Sequence, residues 1–206
     1  TAPGSPFAVS EIPIRGVPTR IWANAPGTLR DVFLAGRAHG DRTFLVYEDD
    51  RASFEAFSRA TLALADDLIR GGVEPGDRVA IAMRNLPEWP VAFFAAILAG
   101  AVATPLNAWW TGPELDHGFT DSGARVAIVD EERWARIAER RAGYPALQRV
   151  LVARAPAGPG TESLADVIGA VPDWSGLPEG RVPDLAIDPE DAATLFYTSG
   201  TTGRSK

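Results

Sequence analysis

Cysteine is absent from the 206 residues of this chain, and histidine occurs only at His39 and His117. The lack of cysteine excludes disulfide scaffolds, cysteine nucleophiles and thiolate metal sites. Two histidines without cysteine are too few for a zinc site, and they limit histidine-based acid–base chemistry. Long apolar runs are also missing. The longest, over residues 91–105, is interrupted by Gly100 and is too short to span a bilayer.

The start of the chain and its charge exclude further classes of protein. The first six residues lack the basic and apolar regions of a secretory signal. The net charge is −7 and the isoelectric point about 4.9, whereas binding to nucleic acid needs clustered lysine and arginine. We therefore expect a cytoplasmic protein with no transmembrane segment and no nucleic-acid partner. Apolar residues make up 46% and charged residues 23% of the chain, which is typical of a globular protein with a core.

The chain divides into an arm and a patterned region. Residues 1–27 contain five prolines and little periodicity, which predicts an extended amino-terminal arm. The patterned region begins with a predicted helix over residues 29–38, with Thr28 as its N-cap. A predicted hairpin over residues 43–54 follows. Ser53 then caps a long predicted helix over residues 54–70, and Gly71-Gly72 ends it.

Short apolar runs and helical patterns alternate over the rest of the chain. We predict strands at residues 78–83, 101–105, 125–130, 147–153 and 192–197, and helices at residues 88–99, 114–121, 131–141 and 163–170. Alternation of this kind favours parallel β-α-β units. The predicted fold class is therefore α/β, with doubly wound, mostly parallel sheets and flanking helices. Residues 28–206 are predicted to belong to one domain, with residues 171–189 as a long internal connection.

A loop of small residues follows the last predicted strand. Every residue from Thr198 to Gly203 is threonine, serine or glycine, and a lysine follows at Lys206. Glycines allow backbone amides to turn toward one point, and such concave arrays of amides bind anions. Composition alone is equally compatible with a flexible connector. A Walker A loop fits less well, because Lys206 follows Ser205 and not a glycine.

The segment Tyr197-Thr-Ser-Gly-Thr-Thr-Gly-Arg-Ser-Lys206 resembles the AMP-binding signature of adenylate-forming enzymes. It departs from that signature at Ser205, where proline is usual. Residues 76–81, 85–89, 99–107 and 121–129 are also similar to the amino-terminal subdomains of this superfamily. The resemblance covers about residues 28–206. It implies that they are the amino-terminal part of an incomplete AMP-binding domain that ends in the phosphate loop. It favours the acyl-CoA synthetase, or fatty-acid–CoA ligase, branch.

The resemblance implies a two-step reaction with ATP, Mg²⁺ and coenzyme A. A carboxylic acid substrate attacks the α-phosphorus of ATP to give an acyl-adenylate, and the thiol of coenzyme A then displaces AMP. The residues implied to bind the ATP phosphates are Thr198, Ser199, Gly200, Thr201, Thr202, Gly203 and Lys206. Of these, Thr198 would also lie near Mg²⁺.

The same resemblance implies that the catalytic residues lie elsewhere in the polypeptide. In this family the adenine-binding segment, the magnesium-binding glutamate, the ribose-binding aspartate and the catalytic lysine all follow the phosphate loop. We therefore predict no catalytic residue within this chain, and no activity without the carboxyl-terminal remainder. Alternatives that share the loop are an acyl-AMP ligase, an aryl-CoA ligase, a peptide-synthetase adenylation domain and a non-catalytic nucleotide-binding module. The sequence leaves a homodimer open.

Three further features have less specific interpretations. Trp109-Trp110 can line an acyl or pantetheine route, but packing against a core is the simpler interpretation. His117 is expected to be solvated. The arginines of the predicted 131–141 helix are expected to form a solvated face paired with neighbouring glutamates. They are Arg133, Arg136, Arg140 and Arg141. The same face is a weaker candidate for the phosphates of coenzyme A.

Overall fold

A five-stranded parallel sheet lies at the centre of the computed structural model, which describes residues 4–5 and 7–198. Its strands lie in the order β6-β5-β7-β8-β9, and every neighbouring pair is parallel. The strands are β5 (Arg78–Ala82), β6 (Val102–Pro105), β7 (Val126–Asp130), β8 (Arg149–Ala153) and β9 (Glu162–Ser163). This sheet confirms the predicted α/β class with parallel strands.

Helices cover both faces of the sheet, and this is why its inner strands are apolar except for one charged residue at an end of each, Arg78, Asp130 or Arg149. Along β5, Val79 and Ile81 belong to one buried cluster, while Ala80 and Ala82 belong to another. The helices α2 and α3 complete the first cluster, and α4 contributes to the second. The helices are α1 (Leu29–Arg37), α2 (Phe54–Arg70), α3 (Glu88–Leu98), α4 (Gly112–Ser122), α5 (Glu131–Ala135) and α6 (Ala165–Ile168).

The helix signals in the sequence act as predicted at α1 and α2. Thr28 caps α1, and its hydroxyl accepts a hydrogen bond from the amide of Asp31. Ser53 caps α2 by accepting from the amide of Ala56 at 3.1 Å. Gly72, at φ 86°, provides the left-handed residue after α2. Within the described part of the chain, no helix combines the length and apolarity that crossing a membrane requires.

Two antiparallel hairpins precede the central sheet. The predicted hairpin is present as β3 (Thr43–Tyr47) and β4 (Asp50–Ser53). We expected only an extended arm over residues 1–27, and the structure adds strand pairing there, between β1 (Val9–Ile14) and β2 (Val17–Trp22). Arg15 and Gly16 connect these strands with φ of 48° and 78°, the signs that a two-residue type I′ turn requires.

The single helix predicted over residues 131–141 is wrong. The structure has α5 (Glu131–Ala135), followed by a 3₁₀ segment at Ala138–Gly143. Ile137 adopts φ −129° between them and is buried in the second cluster, so the helix cannot continue through it. The helix predicted over residues 163–170 is also shorter, because Glu162–Ser163 pairs with β8 and only Ala165–Ile168 is helical. A second 3₁₀ segment occupies Val171–Gly176.

The strand predicted over residues 192–197 is reduced to one bridge, from Thr194 to Ala103 of β6. Its direction is parallel, as predicted. The amide of Ala103 donates to Ala193 O and the amide of Leu195 donates to Ala103 O, both at 3.0 Å. The next bond of a parallel ladder would need an N–H from Pro105, which has none. The pairing therefore stops after one residue.

Candidate functional site

A cavity of about 860 Å³ opens at the carboxyl ends of the central strands. The chain leaves β5 for α3, on the face of the first cluster, and leaves β6 for α4, on the opposite face. Open α/β sheets bind ligands where connections diverge in this way. We call this cavity the crevice. Its lining is Met83, Arg84, Asn85, Leu86, Pro105, Leu106, Asn107, Ala108, Trp109, Asp130, Glu131, Glu132, Arg133, Ala153 and Arg154, with Tyr47, Trp89 and Tyr197.

An arginine stacked on an exposed indole forms one wall of the crevice. Arg84 is the second residue after β5. Its guanidinium carbon lies 3.9 Å from the ring centroid of Trp109. Trp109 is 70% exposed, and its amide donates to Asn107 Oδ1 at 2.9 Å. Stacking of this kind holds a cation close to an aromatic surface without neutralising it. The pair therefore presents positive charge and a flat apolar face to solvent.

The floor of the crevice contains a buried ion pair. Arg133 is 2% exposed, and its guanidinium donates to Asp130 Oδ2 at 3.1 Å and to Ala108 O at 2.7 Å. Asp130 also accepts from the backbone amides of Arg84 and Arg133, each at 2.9 Å. The ion pair thus connects the segments that follow β5, β6 and β7. The prediction that Arg133 lies on a solvated face is wrong, because α5 turns this side chain inward.

The other arginines of that segment are closer to the prediction. Arg136 pairs with Glu132 and donates to Trp110 O. Arg140 pairs with Asp116 at 3.0 Å and stays 62% exposed. Hydrogen bonds from Arg136 and Arg133 hold the pKa of the exposed Glu132 carboxyl below its usual value.

A second ion network forms the rim. Arg154, at φ 57°, donates to Glu88 Oε1 at 2.9 Å and to Asp50 Oδ2 at 2.7 Å. Its guanidinium carbon also lies 4.9 Å from the ring centroid of Tyr47. A left-handed backbone is strained for a residue with a side chain, so these contacts hold Arg154 in place. They fasten the β3–β4 hairpin to the sheet.

The predicted phosphate loop begins at the crevice. Tyr197 lines it, and its hydroxyl donates to Asp121 Oδ2 of α4 at 2.8 Å. Burial and the neighbouring carboxylate raise the pKa of the Tyr197 phenol well above its ordinary value, so it keeps its proton. Thr198 is exposed and is the last residue described. The remaining predicted site residues lie outside the described residues: Ser199, Gly200, Thr201, Thr202, Gly203 and Lys206.

The structure separates the two neighbouring tryptophans. Trp110 is 8% exposed and packs in the second cluster, as the simpler interpretation predicts, whereas Trp109 lines the crevice. His117 is half-buried, and its ring centroid lies 6.3 Å from that of Tyr197, so it is less solvated than expected. Arg84 was not among the predicted site residues. Its position just after a parallel strand is the signal that finds it.

A second cavity of about 450 Å³ lies at the opposite end of the sheet. Its lining includes Gly76, Gly100 and Ala101, which precede β5 and β6, and the segment 186–193. Amino ends of parallel strands are not where such sheets bind ligands, so the crevice is the better candidate site. Over residues 4–5 and 7–198, no three acidic or histidine side chains cluster as a metal site would require.

Comparison with known proteins places this fold in a family. Residues 33–206 match the family model of the AMP-binding enzymes. Feruloyl-CoA synthase from Amycolatopsis sp is 39% identical over 154 residues, which are 75% of this chain and 27% of that protein. A long-chain-fatty-acid–CoA ligase from Escherichia coli O6:H1 is 31% identical over 216 residues, covering 92% of this chain and 37% of that protein. The chain therefore spans about a quarter to just over a third of the length of these relatives.

Solved structures give the same result. The anthranilate CoA ligase AuaEII, in complex with anthranoyl-AMP, superposes with a TM-score of 0.78 over 89% of this chain and 35% of that one, at 25% identity. The apo structure of Mycobacterium smegmatis MbtA superposes with a TM-score of 0.74 over 87% of this chain and 32% of that one, at 28% identity. Because the family model covers most of the sequence, this chain belongs to the AMP-binding enzyme family.

Proposed function

We propose that this chain is the part of an ATP-dependent carboxylic acid:CoA ligase that binds the triphosphate of ATP. One observation carries the proposal: Tyr197, the residue before the glycine- and threonine-rich loop, lines a crevice at the carboxyl ends of a parallel sheet. The whole protein would form an acyl-adenylate from ATP and an acid, and then a thioester with coenzyme A. Relatives named as a feruloyl-CoA synthase and a fatty-acid–CoA ligase support this reaction class.

The loop supplies what triphosphate binding needs. Backbone amides freed by Gly200 and Gly203, the hydroxyls of Ser199, Thr201 and Thr202, and the charge of Lys206 would together neutralise the β- and γ-phosphates. Mg²⁺ keeps few protein ligands and several waters. The hydroxyl of Thr198 is our candidate for one such ligand, since Thr198 is exposed and directly follows Tyr197, which lines the crevice.

The Arg84–Trp109 pair suits the nucleotide end of coenzyme A. An aromatic face stacks on an adenine ring, and a guanidinium binds phosphate. With the ATP phosphates assigned to the loop, the exposed Arg84–Trp109 pair in the same crevice would be available to a second nucleotide. Fatty acids and aromatic acids are both candidate substrates, because relatives of both kinds share the fold.

The proposal assigns no catalytic residue to this chain. The groups that complete adenylation and thioester formation would lie in the carboxyl-terminal remainder of the polypeptide, so we expect the 206-residue chain alone to be inactive. We also propose a cytoplasmic location, where ATP and coenzyme A are available. An acyl-AMP ligase, an aryl-CoA ligase and a peptide-synthetase adenylation domain remain the alternatives within the family.

ATP–pyrophosphate exchange in the intact gene product tests the function. We expect exchange with at least one acid of a panel of fatty and aromatic acids, and release of AMP when coenzyme A is added. Lys206→Ala and Thr202→Ala should each lower the exchange rate at least about tenfold, as loss of a transition-state contact does. Arg70→Ala is the matched control, because Arg70 is an exposed cation at the far end of the sheet.

The alternatives give different results. Exchange without release of AMP when coenzyme A is added would indicate an acyl-AMP ligase, or an enzyme whose acyl acceptor is a carrier protein. ATP binding without exchange would favour a non-catalytic nucleotide-binding module. Wild-type rates in both Lys206→Ala and Thr202→Ala would remove the phosphate assignment from this loop.

A further inference from the structure

The backbone before the loop has one fixed point on the sheet. Leu195 donates its amide to Ala103 O, and the ladder cannot continue because Pro105 has no N–H. The residues after the bridged Thr194 are less buried: Leu195 is 36% exposed and Phe196 is 60% exposed. The next anchored group is the side chain of Tyr197. Its hydroxyl donates to Asp121 Oδ2 at 2.8 Å, and its ring packs edge-on against Trp110 with centroids 5.7 Å apart.

The helix that receives Tyr197 is itself firmly held. The carboxylate of Glu114 accepts the amide of Thr111 at 2.7 Å, which closes a capping box at the start of α4. At Gly118 of α4, an added Cβ would lie 3.0 Å from atoms of both Leu106 and Trp110. The helix therefore packs directly on Leu106, which lines the crevice, and on the buried Trp110. Asp121 is thus carried by a well-packed helix.

From this arrangement we infer that Tyr197 is a positioning residue, whose hydrogen bond to Asp121 fixes where and in which direction the chain leaves the sheet for the phosphate loop. The inference rests on the proposed function of that loop. Tyr197 would act through the loop, without touching the reacting atoms. Loss of the bond would displace Thr198, where the loop begins, relative to the crevice, and small displacements at a reacting centre are costly.

If the Tyr197–Asp121 bond only stabilised α4, its loss would affect stability but not the exchange rate. A second tyrosine–aspartate bond on the same helix serves as the control. Tyr144 donates its hydroxyl to Asp116 Oδ1 of the same helix, also at 2.8 Å. Burial raises the pKa of both phenols, so both keep their protons at neutral pH. Tyr144 is 3% exposed and packs on Phe119 at the end of the 3₁₀ segment, with no contact to residues 193–198 among the interactions described. Both bonds support α4, but only Tyr197 adjoins the loop.

The test compares Tyr197→Phe with Tyr144→Phe in the intact gene product, by ATP–pyrophosphate exchange and thermal unfolding. Both variants keep their rings, and we expect similar, small decreases in Tm. Tyr197→Phe should lower kcat for exchange about tenfold and change KM for ATP by less than about threefold, because the loss falls on the transition state. Tyr144→Phe should stay within about twofold of wild type. Equal kcat values in the two variants would overturn the inference.

Asp121 supplies a second variant that does not disturb packing, since its side chain is exposed. Asp121→Ala should reproduce the kcat of Tyr197→Phe, and the double variant should lose no more than either single one, as expected for one shared interaction. Additive losses would show that no such interaction exists. If the wild-type protein catalyses exchange and Tyr197→Phe is equally active, the positioning role is refuted while the proposed function stands. Absence of exchange in the wild type with every acid would refute the proposed function and this inference with it.

Discussion

Replacing Arg133 with methionine would remove the buried cation beneath the crevice while keeping an unbranched apolar stem. In the wild type, the guanidinium of Arg133 donates a buried hydrogen bond to Asp130 Oδ2 at 3.1 Å and a partly buried one to Ala108 O at 2.7 Å. Its third contact, with Glu132, faces solvent, since that carboxylate is 61% exposed, and contributes little. The substitution would leave the 8%-exposed Asp130 with backbone donors alone.

Breaking a buried pair by removing one partner costs about 3–5 kcal/mol, because an uncompensated charge stays behind. Asp130 keeps two amide donors, so we expect the lower part of that range, about 3 kcal/mol. For a chain of 206 residues, each kcal/mol lowers Tm by roughly 2–4 °C. The expected decrease in Tm is therefore about 6–12 °C.

Urea unfolding of the 206-residue chain, followed by tryptophan fluorescence and circular dichroism, measures this cost. Arg136→Met is the matched control, because Arg136 is a neighbouring arginine on the same segment with a 29%-exposed side chain. We expect it to cost about 1 kcal/mol or less. A loss below 1 kcal/mol for Arg133→Met, or equal losses for the two variants, would show that the buried pair does not hold the floor of the crevice together.

Two further predictions concern the same chain. Gly100 has φ +73° and an added Cβ would lie 3.3 Å from Pro75 Cγ, so Gly100→Ala should lower the free energy of unfolding in urea by about 1–2 kcal/mol. Gly143→Ala, where a Cβ meets nothing within 4 Å, should change it by less than about 0.5 kcal/mol. The raised pKa of Tyr144 means that above pH 10 the unfolded state loses a phenol proton that the folded state keeps. The contribution of Tyr144 to the free energy of unfolding should therefore be complete below pH 10. It should fall as pH rises above 10, by up to about 1.4 kcal/mol per pH unit. If Tyr144→Phe loses stability with pH as steeply as the wild type does, this prediction is wrong.

Local signals were sufficient where neighbouring residues determine the structure. The helix α2 has a serine at its start, apolar residues at three- and four-residue steps and a left-handed glycine after its end, and all of these lie within the helix and its flanks. The apolar runs of β5 and β7 are likewise explained by burial on both faces.

The secondary-structure predictions that failed concern segments whose structure depends on distant partners or on unusual turns. The first hairpin was not predicted as paired strands because its turn is Arg15-Gly16, and arginine at φ 48° is not a recognised turn signal. The helix over residues 131–141 is predicted from its charged, amphipathic pattern. It ends early where Ile137 packs into the second cluster. Arg133 is turned inward to Ala108, 25 residues upstream, and no local pattern records that contact.

For the candidate site, composition and resemblance predict the phosphate loop, and that assignment stays a prediction. They do not predict the contact between Arg84 and Trp109. Arg84 and Trp109 meet only because β5 and β6 are adjacent in the sheet, and that adjacency depends on topology. The contact between Tyr197 and Asp121 spans 76 residues of sequence. A sequence read along its length therefore shows the residue types of the site without showing which of them meet.

The distribution of charge distinguishes one arginine of the crevice from the others. Three arginines line it, in a chain whose net charge is −7. Asp130 and Glu132 pair with Arg133, while Glu88 and Asp50 pair with Arg154. Within residues 4–5 and 7–198, Arg84 is the lining arginine that has no carboxylate partner, and it is held over Trp109 instead. A carboxylate placed there would cancel its charge, whereas an indole keeps the charge available and adds a surface for a flat ring. In an overall acidic protein, this pair is therefore the part of the crevice that we propose as a binding site for an anionic, ring-bearing ligand.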